Sequence, residues 1–310
     1  MRLVANRKLG NAIADASQDF KSLLKSAGAE SLLQEQGALL VFESANSLMQ
    51  AQRDENVLRE YGIQFESLNG AQAASRLGRG APSVAGGRFY PEMKSVVDPY
   101  AVVNALVQQF ITSGGKLHRR HVKSFDFHPE YVRIITDDGD VNVSKAVLAA
   151  GTGSPALMKT LGLSVPMAAE RGYHVMLDGG PTLHMPWTFH ERGFVATPMT
   201  GGTRLAGTVE LGGGEPDWRR AMLLARHMQQ LFPDTIMSVT QQWTGNRPTT
   251  PDYLPVMGPL RKNPRILTAF GHQHLGLTLS ATTARLIRLL INKQPLPYSI
   301  EPFRPERFTI

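Results

Sequence analysis

Phe270-Gly271-His272-Gln273-His274-Leu275-Gly276-Leu277-Thr278-Leu279 closes the apolar run 265–270 and opens a helical pattern that reaches about Asn292. The order is strand, glycine-bearing turn, helix. Glycine at 271 and 276 lets backbone come close to a bound group. The first N–H groups of a helix lack intrahelical partners and lie at the positive end of its dipole, so this start suits negative charge. An ordinary glycine-rich helix entry fits the same residues. His272 and His274 stand two apart, point to opposite sides of an extended run, and have no acid cluster beside them, which argues against a metal site.

A second unit of this kind precedes it. The short apolar strand 145–150 leads into Gly151-Thr152-Gly153-Ser154-Pro155-Ala156, which formally matches G-x-G-x-x-G/A, and Glu170 lies near the expected spacing for the acid. A hairpin precedes the strand, however, and Gly162 and Pro166 stop the helix by about Leu161. A parallel crossover needs more chain than that. The reading is a small-residue turn beside a cofactor, with a plain tight turn as the alternative.

Between the two units the period is two. Residues 172–211 alternate, with turns at Asp178-Gly179-Gly180 and Gly201-Gly202; a helix follows over 217–231 and a strand over 239–244. The fold class is therefore mixed, an α/β nucleotide-binding domain interrupted by an antiparallel α+β domain. Upstream, residues 9–27 read as an amphipathic helix, 37–42 as a strand, 46–60 as a polar helix, and Phe65–Leu68 leads into a short helix ending near Arg76. Asp98-Pro99 opens a helix with an acidic cap and proline at its first position, and Gly114-Gly115 closes it. Residues 122–127, 131–136 and 141–143 read as strands.

Trp243-Thr244-Gly245-Asn246-Arg247-Pro248-Thr249-Thr250-Pro251-Asp252 places an arginine between a strand and prolines. A guanidinium can clamp a carboxylate through two parallel hydrogen bonds; a surface salt bridge is the plain alternative.

Composition narrows the classes. The net charge is +7 and the pI about 9.7, but the basic residues are scattered, and no zinc-finger or aromatic–basic RNA pattern occurs, so nucleic acid is not expected. With no cysteine, thiolate sites and disulfides are excluded. There is no G-x-S-x-G elbow and no P-loop. No apolar run is long enough to span a membrane and no signal core opens the chain, so the expected location is the cytoplasm.

In their order these segments resemble the flavoprotein superfamily of D-amino-acid oxidase, glycine oxidase and sarcosine oxidase. The nearest branch is the bacterial D-amino-acid dehydrogenase small subunit with its D-hydroxyproline dehydrogenase-like members. The pieces that carry the resemblance are Asp98-Pro99, the strand at Val122, Ala149-Ala150-Gly151, Arg171-Gly172-Tyr173, Trp243-x-Gly245-x-Arg247-Pro248-x-x-Pro251-Asp252, Pro255-x-x-Gly258, and Gly271-His272-x-His274-Leu275-Gly276-Leu277-Thr278.

The resemblance implies FAD as cofactor and a small amino acid as substrate. Val122 would lie by the adenine, Ala150 and Gly151 by the dinucleotide, and Gly271, His272, Leu275, Gly276, Leu277 and Thr278 along the pyrophosphate, ribityl and isoalloxazine edge. Arg247 would hold the substrate carboxylate, with Tyr173 and His272 nearby. A D-amino acid, including the D-proline or D-hydroxyproline type, would pass hydride to the flavin N5 and leave as an imino acid or 2-oxo acid. The rival readings are a secondary-amine oxidoreductase of the sarcosine type and an inactive remnant. Members of this family open with a strand, G-x-G-x-x-G and a helix; nothing before residue 9 matches, and Met1 corresponds to a point roughly 100 residues into a full-length relative. The expectation is an N-terminally truncated chain. Its FAD-binding Rossmann-like domain (1–28, 82–162 and 245–310) is incomplete and carries an inserted antiparallel-sheet substrate domain (29–81 and 163–244). The family further implies an electron-transfer or peripheral membrane partner at the inner face of the membrane, and a hetero-oligomer. For Arg285–Ile291, basic and apolar, core packing is favoured over a membrane surface.

Overall fold

A computed structural model describes residues 2–212 and 214–308, with side chains from residue 9 onward; residues 1 and 310, the outer limits of the expected domains, lie outside it. Helix α1 (Arg2–Ser26) begins earlier than its apolar stripe, since no glycine or proline in residues 2–8 stops it. There follow β1 (Leu33–Gln34), β2 (Ala38–Phe42), α2 (Ala45–Arg53), α3 (Glu55–Glu60), β3 (Glu66–Asn69), α4 (Gly70–Leu77), β4 (Gly86–Tyr90), β5 (Ser95–Val96) and α5 (Pro99–Thr112). The polar helix expected over 46–60 is thus two helices, which meet at Asp54. Next come β6 (Val122–Phe127), β7 (Val132–Thr136), β8 (Val141–Val143), β9 (Ala146–Leu148) and α6 (Ser154–Thr160). The chain continues with β10 (Ala168–Gly179), β11 (Trp187–Phe189), β12 (Phe194–Met199), β13 (Gly202–Leu211), α7 (Arg219–Leu231), β14 (Met237–Thr249), β15 (Val256–Pro259), β16 (Ile266–Phe270) and α8 (Gly276–Ile291).

One sheet carries eight strands in the order β14-β10-β13-β12-β11-β2-β4-β3, antiparallel throughout except for the parallel β11–β2 pair. Alternation along β10 sends Tyr173, Val175 and Leu177 to one face, where Ala221, Leu224, Met228 and Leu231 of α7 cover them at helical spacing. His174 and Met176 therefore point to the opposite face. Strand β4 was not legible, and it places residues 86–90 in this sheet, beyond the expected boundary at residue 82. Its glycines masked it. They are needed because a Cβ on Gly86 would stand 2.6 Å from the Leu68 carbonyl oxygen, and one on Gly87 2.9 Å from that of Leu40. Strand β14 outruns the expected 239–244 because it keeps pairing with β10 as far as Thr249. As the edge strand it tolerates Pro248, which has no N–H for a ladder.

The second unit is built on β15-β16-β9, with β16 and β9 parallel. Met158 and Leu161 pack on this sheet, and α6 is as short as Gly162 and Pro166 require. Helix α5 starts where expected: the Asp98 carboxylate accepts from the N–H groups of Tyr100 (2.9 Å) and Ala101 (3.0 Å). Helices α1 and α8 pack together through Leu9, Ala12, Ala16, Leu279 and Leu286, and Arg285 is paired with Asp15 and with Asp19 (2.9 Å). The basic and apolar 285–291 stretch is a core helix. Among the described residues no helix is long and apolar enough to cross a membrane.

Candidate functional site

Strands β9 and β16 run side by side, so the segments leaving them, at Gly151 and at Gly271–Gly276, emerge at the same edge. Ligands of open α/β sheets rest at such carboxyl ends. The far end of β14 packs against both Gly151–Gly153 and Gln273–Leu275, which brings the antiparallel sheet to this edge. Between them lies a cavity of about 610 Å³ whose lining includes His174, Arg204, Arg247, Gln273, His274 and Leu277.

The residues here fit a large planar cofactor. A Cβ on Gly151 or Gly245 would meet nothing within 4 Å, and one on Gly276 would meet only His272 Cβ, at 3.9 Å. The backbone is thus open to close approach at each of these three glycines. Helix α8 starts without a side-chain cap, leaving its first N–H groups available to an anionic edge. The turn into it is held by two left-handed residues, Gly271 (φ 76°) and Gln273 (φ 54°), the second a non-glycine and so strained.

Arg247 is set by sterics. Its guanidinium lies flat over Gly172, so any Cβ at 172 would overlap it. Gly172 is not among the positive-φ residues, so that space, rather than the backbone conformation, is what requires glycine. Among the described residues neither Arg247 nor Arg204 has a carboxylate or hydrogen-bond partner, and Arg204 Nε is buried with none. His174 sits between them, stacked on Trp243 (5.2 Å, 8°) with Nδ1 buried and unpartnered. Burial, and then the charges of Arg204 and Arg247, push His174 down to about 4, so it is neutral at pH 7.

Several expected site residues are elsewhere. Tyr173 is fully buried on the opposite face; its hydroxyl pairs with Glu210 and accepts from Asp217 N–H at 2.8 Å. His272 does not line the cavity. It turns inward, with Nε2 3.0 Å from Thr283 Oγ1. Thr283 donates to Met257 Sδ, which leaves its oxygen to accept from His272 Nε2–H. Leu275 packs into the α1–α8 core and Gly271 is buried against Thr250, while Gly276 and Leu277 line the cavity and Thr278 is exposed. Val122 begins β6 at a bulge, and Ala150 and Gly151 form the turn that leaves β9; none of the three lines the cavity. Glu170 lies within β10 opposite Arg247 rather than at the end of a parallel strand. Sequence reasoning missed His174, Arg204 and Gln273; a charge at Arg204 within the alternating run 172–211 was the one available signal.

Burial also pushes His272 down to about 4. Against an unfolded value near 6.5, the unfolded chain binds a proton that the native one refuses as pH falls. The contribution is full above about 6.5 and lost as pH drops through about 4, worth about 3 kcal/mol at most. We expect His272→Asn to flatten the fall in Tm between these pH values, measured by thermal unfolding. An unchanged slope would show that His272 titrates normally.

A crevice at parallel strand ends, faced by a sheet that offers two cations, is a place where a nucleotide cofactor can bind. The chain belongs to the FAD dependent oxidoreductase (DAO) family, whose model matches residues 5–289. It is 33% identical over 311 residues to a D-amino-acid oxidase of Bradyrhizobium diazoefficiens, covering 97% of this chain and 73% of that protein. It is 33% identical over 186 residues to a D-amino acid dehydrogenase of Paramagnetospirillum magneticum, covering 57% of this chain and 43% of the relative. The solved glycine oxidase of Geobacillus kaustophilus shares the fold, with a TM-score of 0.85 at 22% identity over 97% of this chain and 82% of that one. The cofactor of this family is FAD, which the open glycines and the uncapped α8 start accommodate.

Proposed function

We propose that this protein oxidises a D-amino acid to the imino acid, which water hydrolyses to a 2-oxo acid and ammonia; a substrate of the D-proline type leaves as the cyclic imine. The observation that carries the reading is the unpaired Arg247 guanidinium, seated over Gly172 in a cavity that opens beside the start of α8. FAD, when bound, supplies the two-electron acceptor for the substrate's Cα–H bond. Everything else falls to the chain. Arg247 would clamp the α-carboxylate through two parallel hydrogen bonds and so fix which face of Cα is presented. Neutral His174 adds a hydrogen-bonding edge without a further positive charge against the amine. The N–H groups at Gly276 and Leu277 would face the negative charge that reduction creates. Relatives named D-amino-acid oxidase and D-amino acid dehydrogenase support the D configuration.

The test is to add FAD, remove the excess, and mix anaerobically with D- and L-amino acids while following the flavin's visible absorbance. We expect retained flavin and bleaching by D-amino acids alone. A stably bound flavin that no amino acid bleaches would refute the activity, and a colourless protein would favour an inactive remnant.

A further inference from the structure

We propose that the cavity selects amino acids carrying a second, side-chain carboxylate, held by Arg204 while Arg247 holds the α-carboxylate. This rests on the amino-acid reading above and names its substrate class.

Five other sheltered arginines have acids. Arg88 meets Glu55, Arg171 meets Glu210, Arg192 meets Glu43, Arg285 meets Asp19 and Arg307 meets Asp252. Arg204 is similarly sheltered and has none among the described residues, where no Asp or Glu lines the cavity it faces. A cation withdrawn from water without a partner is costly to the fold. It is tolerated where a ligand's anion completes it. Asp98, which with Arg204 lines a neighbouring cavity of about 460 Å³, is engaged in capping α5.

The placement suits a two-headed anion. Arg204 is paired with Met176 along β10, and the Arg247 guanidinium covers Gly172. Those two positions are four residues, about 13 Å, apart. His174 lies midway between them along β10, and all three side chains line the same cavity. The two side chains span the remaining distance toward an aspartate- or glutamate-sized molecule. The same field disfavours lysine- and arginine-type substrates.

The test uses ligands that cannot be oxidised, so that it reads binding rather than turnover. Isothermal titration of the FAD-supplemented full chain compares glutarate with its monoamide, glutaramate. We expect wild type to prefer glutarate by about tenfold or more, the worth of a charge-assisted hydrogen bond. Arg204→Gln should bring the ratio near one, and Arg204→Lys, which keeps the charge, should retain part of it. Equal binding of the two ligands by wild type, or a preference that survives Arg204→Gln, overturns the proposal. Flavin reduction separates the two readings. If D-amino acids bleach the flavin but D-glutamate does so no better than D-glutamine, the carboxylate selectivity falls alone. If no amino acid bleaches it while glutarate remains preferred, the oxidase reading falls and the dicarboxylate selectivity stands.

Discussion

Arg247→Met should lower kcat/KM for a D-amino acid by about 10²- to 10⁴-fold, mostly through KM. Two charge-assisted hydrogen bonds to a carboxylate are worth roughly 3–6 kcal/mol together, and each 1.4 kcal/mol is a factor of ten. Methionine keeps the length and apolar stem of the side chain, so packing over Gly172 changes little. Arg247→Lys should recover only part of the loss, because an ammonium cannot present two parallel donors. Stopped-flow reduction of bound flavin against substrate concentration measures both variants. A change of less than about fivefold in Arg247→Met would remove this residue from carboxylate binding. The position favours a large effect. Arg247 stands on an edge strand ahead of Pro248 and has no competing acid among the described residues.

Gly172→Ala should mimic much of that loss without touching the arginine. The added methyl would overlap the guanidinium, and the backbone at 172 is one that alanine adopts readily, so Arg247 rather than the strand should yield. Displacing a clamp by an ångström or so costs about 10- to 100-fold in rate. We expect a drop of that size in kcat/KM, with Tm nearly unchanged. The sharper test is the double variant. If the methyl acts only by moving Arg247, Gly172→Ala adds nothing to Arg247→Met. Additive losses would mean that residue 172 acts by another route, and this account of its glycine would be wrong.

Much of the frame was legible because it rests on local chemistry. Asp98-Pro99 is a cap and a first helical residue, whatever lies around it. The strands at 122–127 and 141–143 follow from period-two alternation, and the α8 start from the glycines that precede it. Arg247 could be singled out because it stands between a strand and prolines, where a guanidinium can clamp a planar anion. The β4 strand was hidden because glycines selected for close backbone approach remove the side-chain pattern that marks a strand.

Tyr173 and His174 show where sequence reasoning stops. Alternation alone says that they face opposite ways. It does not say which of them meets the cavity, because that depends on which face α7 covers, and Ala221, Leu224 and Met228 cover the Tyr173 side. His272 was drawn inward for a similar reason: Thr283, within α8, offers the partner its buried ring requires. The sequence by itself determined the mixed class of fold, the strand–turn–helix units and the place of Arg247 at a strand end, since each is set by residues within a few positions. Only the tertiary structure decided that Arg204, His174 and Arg247 share one cavity and that Gly172 makes room for a guanidinium. Those facts depend on strand register and on which sheet face is buried, and neither is encoded in any single stretch of the chain.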